Sequence, residues 1–155
     1  MKHALTLACL ALATILPARA AEHTHAHRHA PQQLQLNAGK PWAIDAPLRQ
    51  AMDNINNAMK RAIPRIHGNT FSQADYRKLG ETVDKEIAYA LANCKLEPKA
   101  DAMLHLVIAE LSAGAEAMQG KGKLSRHDGA VKVIDALHAY GRFFQHPGWV
   151  AAGGK

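Results

Sequence analysis

A chain of 155 residues with 19 Lys and Arg against 13 Asp and Glu, a formal charge of +6, 5% aromatic residues and two cysteines has room for one domain with a real core. It has too few cysteines for a disulfide framework and no long basic block of the kind that tracks a phosphate backbone. Sparse aromatics together with frequent Ala, Leu, Met, Lys and Gln favour helices over strands.

Residues 1–20 read as a cleavable signal peptide. Lys2 and His3 make a short polar start, Ala4 to Leu16 is apolar, Pro17 breaks the run, and Ala18-Arg19-Ala20 offers the small-x-small pattern of a signal peptidase site. The apolar run is too short to stay in a bilayer as a spanning helix. Export to a bacterial periplasm is therefore expected. Cleavage lowers the charge by two, removes Cys9 and leaves Cys94 alone, open to an intermolecular disulfide.

Residues 21–44 read as a histidine-rich tail and linker. His23, His25, His27 and His29 alternate in AEHTHAHRHAPQQ, and Pro31 stops any regular element. Neutral imidazoles on a flexible strand chelate Cu(II), Ni(II) or Zn(II) without a preformed site. A cut after Ala20 would also put His23 third from a free amine, a terminus suited to square-planar Cu(II). The same composition equally describes a disordered, soluble tail with no dedicated ligand. Further on, Leu34, Leu36 and Trp42 are placed to lie over the core.

Four helices follow within residues 45–149, with 150–155 read as a flexible end. Asp45 is an N-cap with Pro47 in the first turn, and Leu48, Met52, Ile55, Met59, Ala62 and Ile66 form one apolar stripe that Pro64 ends or kinks. Ser72 caps a second helix with Asp75 in its first turn. Tyr76, Leu79, Val83, Ile87, Ala90 and Cys94 make its stripe. Pro98 suits the first turn of a third helix, striped by Leu104, Val107, Ile108, Leu111, Ala115 and Met118 before Gly120 to Lys123 breaks it. The fourth begins near Ser125 or Asp128 and turns Ala130, Ile134, Leu137, Gly141 and Phe144 inward. Four amphipathic helices with short connections predict an all-α, antiparallel up-down-up-down four-helix bundle.

In that topology Cys94, Asp101 and His105 gather at one end with Trp42, Tyr140, Phe143, Phe144 and Trp149. At about 1.5 Å per residue, Met52 lies roughly 9 Å into the first helix, His105 about 10 Å into the third and His138 about 12 Å from the end of the fourth. A thioether, a thiolate and imidazoles at similar height suit Cu(I), or axial ligation of haem. Each residue also has a plainer role. Met52 and Cys94 serve as core residues, and His105 and His138, each one position past a stripe leucine, as histidines facing a groove or solvent. Asp101 either orients His105 or meets the helix dipole. No Gly-rich phosphate loop, nucleophile elbow or His-Glu-x-x-His helix is present, so an enzyme is the least supported class.

Two resemblances add to this. HTHAHRH, KPWAIDAPLRQAM, NCKLEPKADAMLHLVI and ALHAYGRFFQHPGW resemble the DnrO family of small exported proteins from denitrifying and related bacteria. That resemblance implies an association with denitrification regulators and no particular reaction. LRQAMDNINNAMKRA, with a histidine in the last helix, looks like cytochrome b562. It implies non-covalent haem b held by Met52 and His138, or by His146 if the last helix runs longer; no Cys-x-x-Cys-His stretch is present for covalent attachment.

The sequence thus predicts a periplasmic transition-metal protein, with copper foremost, that buffers or delivers its metal. The tail histidines, Cys94 and His105 are its ligands, and Met52 and His138 further candidates. A haem-b electron carrier, and a periplasmic protein-interaction or sensing module built on the aromatic end, are the alternatives.

Overall fold

The computed structural model describes residues 33–154. The signal peptide and the four tail histidines lie outside the described residues. Four helices make the fold: α1 (Ala46–His67), α2 (Gln73–Asn93), α3 (Pro98–Met118) and α4 (Arg126–Phe143). Two isolated bridges, Asn37 with Lys40 and Trp42 with Phe144, are the only extended pairings among the described residues.

Local chemistry sets the helix starts. The Asp45 side chain accepts the Leu48 N–H, and Ser72 and Asp75 form a reciprocal capping box. Ser125 accepts the Asp128 N–H. α3 begins at Pro98, where the missing N–H costs no intrahelical bond. Pro64 does not end α1, which runs one turn further to His67. The Ser72 hydroxyl and backbone N–H, with the Arg65 guanidinium, hold the Asp75 carboxyl down to about 2.

The predicted stripes of α1 and α3 form the core, whereas Tyr76 and Cys94 of the α2 stripe and Ile134 and Gly141 of the α4 stripe are only half-buried, and α4 buries Val133, Ala136 and Tyr140 in addition to Ala130 and Leu137. Leu48, Met52, Ile55 and Met59 of α1, Val83 of α2, Leu104, Leu111 and Met118 of α3, and Leu137 of α4 are almost wholly buried. Each such side chain contributes roughly 1.5–3 kcal/mol of burial free energy. Asp45 of the α1 cap bonds the Lys95 N–H in the α2–α3 connection. At the far end Arg65 meets Asp75, and Arg126 bonds the Met118 carbonyl. These pairings fit an up-down-up-down order.

α3 and α4 cross with their backbones almost touching. A Cβ on Gly114 would lie 2.7 Å from the Gly129 carbonyl oxygen, and one on Gly129 would lie 2.7 Å from the Gly114 carbonyl oxygen. α1 and α4, in contrast, make few direct contacts, and the C-terminal strap, residues 145–154, fills the groove between them. Within residues 150–154, read as flexible from the sequence, Ala152 packs here while Val150, Gly153 and Gly154 stay exposed. Ala152 is fully buried because Asn56, a 4%-exposed polar residue on the inner face of α1, donates to the Val150 carbonyl (2.9 Å) and accepts the Ala152 N–H (2.7 Å).

Two consequences are measurable by thermal unfolding. Gly114→Ala overpacks the α3–α4 crossing and should cost about 1–3 kcal/mol; an unchanged Tm would mean that the helices can separate freely there. Asn56→Leu keeps the branched side-chain shape with added bulk and removes both strap bonds, leaving the Val150 carbonyl and the buried Ala152 N–H without this partner, a loss of about 2–4 kcal/mol.

Candidate functional site

The bundle end formed by the start of α1, the α2–α3 connection and the end of α4 collects the polar chemistry of the described chain. Trp42 organises it. Its backbone N–H donates to the Phe143 carbonyl (2.8 Å), and its carbonyl accepts the Gln145 N–H (2.8 Å), so the incoming linker lies against the outgoing strap. Its indole Nε1 donates to the Gln35 carbonyl (2.6 Å), while the Gln35 N–H points to the Met103 sulfur (3.3 Å). Leu34 packs on the core and Leu36 stays largely exposed.

Beside this linker runs a cleft of about 450 Å³ lined by Trp42, Ile44, Asp45, Lys95, Leu96 and Glu97, among others. A second cleft of about 360 Å³ shares Asn37, Trp42 and Lys99 with it. The first cleft mixes apolar residues with charges of both signs, Asp45 and Glu97 against Lys95 and Lys99, whereas Lys99 is the charged residue that lines the second.

The structure scatters the internal ligand candidates. Met52 is sealed in the core at 2% exposure. Cys94 is the C-cap residue of α2, its N–H bonded to the Ala90 carbonyl, and is a free, half-buried thiol. His105 and His138 face solvent. The reason is rotational: Leu104 and Leu137 occupy the core positions, so the next residue on each helix is turned away by about 100°. His138 lies beside Gly154 of the strap, so Met52 and His138 do not face each other across a common space. Among the described residues no three His, Cys, Asp or Glu side chains converge as a metal site. Met52, Cys94, His105 and His138 thus do not assemble as one ligand set.

Asp101 and His105 do pair. The His105 Nδ1 is 2.9 Å from the Asp101 carbonyl oxygen and 3.4 Å from its carboxylate. Both are acceptors, so Nδ1 carries the proton and the Nε2 lone pair points outward. Cys94 is the less available donor: burial first, then the Asp45 and Asp101 carboxylates, pushes its thiol up, and the protonated form is the weak nucleophile and poor ligand.

A third cluster entered the sequence reading only as aromatics and as His146, the alternative haem ligand of a longer last helix, but α4 ends at Phe143. His146-Pro147-Gly148-Trp149 is a turn closed by the Trp149 N–H on the His146 carbonyl (3.1 Å), with Gly148 at φ +76°, a conformation that excludes most side chains. The turn folds both rings back onto α4. Trp149 packs on Tyr140 (4.8 Å between centroids) and fits against Gly141, where a Cβ would come within 2.5 Å of the indole. His146 bonds Tyr140 through Nδ1 (3.0 Å) and Asp53 through Nε2 (3.2 Å). Burial pushes the Tyr140 phenol up, with the Asp53 carboxylate adding to it. The HPGW string was the available signal; nothing local marks Asp53 as its partner.

Comparison with protein-family models, with curated proteins and with solved structures finds no match for this chain. Among the described residues no helix is long and apolar enough to cross a membrane.

Two carboxylates beside Cys94 make its reactivity a direct readout of this end. Alkylation by iodoacetamide near neutral pH should be slower than for an unstructured thiol, and Asp101→Asn should speed it by lowering the thiol pKa. Equal rates in both proteins would place Asp101 outside the field that Cys94 feels.

Proposed function

We propose that this chain is an exported, non-enzymatic transition-metal protein, with copper the favoured ion, whose binding groups are the alternating histidines His23, His25, His27 and His29. The four-helix bundle is the body that carries them. The observation that supports this most is the HTHAHRH alternation itself, because imidazoles on every second residue of a free strand can close around one ion with little strain. The bundle adds a second, negative reason to place binding in the tail. Its core positions are filled by apolar side chains, and the internal candidates stand apart from one another.

In this reading the neutral imidazoles take Cu(II), and a free amine at Ala21 would add the square-planar terminal site through His23. The outward Nε2 of His105 is the bundle's best-presented single ligand, held by Asp101. The half-buried Cys94 thiol suits Cu(I) only after losing its proton. Buffering or delivery of copper to periplasmic enzymes follows, in keeping with the resemblance to the DnrO family. Haem b has no comparable support, since Met52 and His138 share no common space and both ring nitrogens of His146 are bonded to Tyr140 and Asp53.

A second reading, a periplasmic protein-interaction or sensing module, rests on the two adjoining clefts around Trp42. A Cu(II) competition titration against a chromophoric chelator separates the two. Replacing His23, His25, His27 and His29 with Ala should weaken binding at least tenfold, about 1.4 kcal/mol, whereas Cys94→Ala should leave Cu(II) affinity in place. If the four-histidine variant, with or without Cys94→Ala, binds copper as tightly as the unaltered protein, the metal reading is wrong.

A further inference from the structure

We propose that the His146–Trp149 turn is an acid-sensitive latch, in which protonation of His146 removes the acceptor of the buried Tyr140 hydroxyl and so favours release of the C-terminal strap from the groove between α1 and α4. This stands apart from the metal reading and rests on the geometry of one buried ring. The His146 side chain is 4% exposed while Asp53, its partner, is 48% exposed. The Asp53 carboxylate only accepts, so Nε2 carries the imidazole proton and Nδ1 presents its lone pair. Tyr140, fully buried, must then donate its hydroxyl proton to Nδ1.

A second proton on the ring removes that acceptor. Both nitrogens then donate, and the Tyr140 O–H is left pointing into a pocket of Phe144 and Trp149 rings, where no acceptor awaits it. The charged groups around the ring divide. Asp53 of α1 favours the imidazolium, Arg49 of α1 opposes it, and burial, the largest influence, also opposes it, so the His146 pKa lies below its ordinary 6.5. Tyr140 is the titratable group of α4 at the ring, and the Asp45 and Asp53 carboxylates and Arg49 all act on it.

The sign follows from linkage. The closed strap holds His146 neutral and the released strap lets it titrate near 6.5, so the open state binds more protons. Closure is therefore fully favoured above about 6.5 and is lost as the pH falls from there toward the lowered value of the closed state. The opening is confined to the strap because its other anchors, the two Asn56 bonds and buried Ala152, contain no titratable group. It also falls in a different pH window from Asp75, whose carboxyl stays ionised down to about 2.

Hydrogen exchange of the Ala152 amide, corrected for its intrinsic pH dependence, reports the latch. Between about pH 7 and pH 5 its opening constant should rise by up to tenfold per pH unit, with the α3 amides unaffected. His146→Gln, which does not titrate, should abolish the dependence. Asp53→Asn alters only a half-exposed carboxylate and should move the midpoint to lower pH by withdrawing the charge that favours the imidazolium. The latch is overturned if His146→Gln keeps the pH dependence of the unaltered protein, if Asp53→Asn leaves the midpoint in place, or if α3 loses protection together with Ala152.

Discussion

The carboxamide of Asn56 closes this bundle. A four-helix bundle normally seals its last seam by packing the first helix on the fourth, but here α1 and α4 touch little and an extended strap occupies the space. Extended backbone inside a core brings N–H and C=O groups that need partners. Asn56 supplies one acceptor and one donor, to Ala152 and Val150, at a position where every neighbour on the stripe is apolar. An ionised carboxylate there could accept the Ala152 N–H but could not donate to the Val150 carbonyl. The buried polar residue is thus the condition under which the strap can replace direct helix packing.

The strap in turn determines what the functional end looks like. It is held at its start by Trp42, whose backbone bonds both Phe143 and Gln145, so the linker and the strap share one short pairing across the bundle end. From there the HPGW turn places His146 between Tyr140 and Asp53. Asp45 ties the other side, using one carboxylate oxygen for the cap of α1 and the other for the Lys95 N–H. Polar groups at this end are therefore mostly committed to one another, while the Nε2 of His105 faces outward and two clefts open beside Trp42.

The bundle architecture keeps the soft and borderline donors of the four helices apart. Soft and borderline donors occur in the helices, but the helix phase assigns them to different surroundings: a thioether in the core, a thiol at the rim, two imidazoles in water. Convergence of ligands needs side chains from several helices to share a phase as well as a height. The heights are similar along the bundle while the phases differ, and a residue one place off the stripe is displaced by about 100° around the axis.

What the sequence alone determined is whatever depends on residues within one helical turn of each other. The stripes of α1 and α3, most of that of α2, the Asp45, Ser72 and Ser125 caps and the start of α3 at Pro98 were legible, since spacings of three and four and the chemistry of N-caps are local, whereas the α4 stripe missed Val133, Ala136 and Tyr140. The alternating histidines were legible for the same reason. Tertiary structure decided the rest. Asn56 reads as a lone polar interruption of an apolar face until a strap almost a hundred residues later meets it, and Asp45 shows its cap but not its bond to Lys95. The outward turn of His105 and His138, the near contact of Gly114 with Gly129 and the Tyr140–His146–Asp53 chain likewise depend on which helix faces are pressed together, a global packing choice with no local period to announce it.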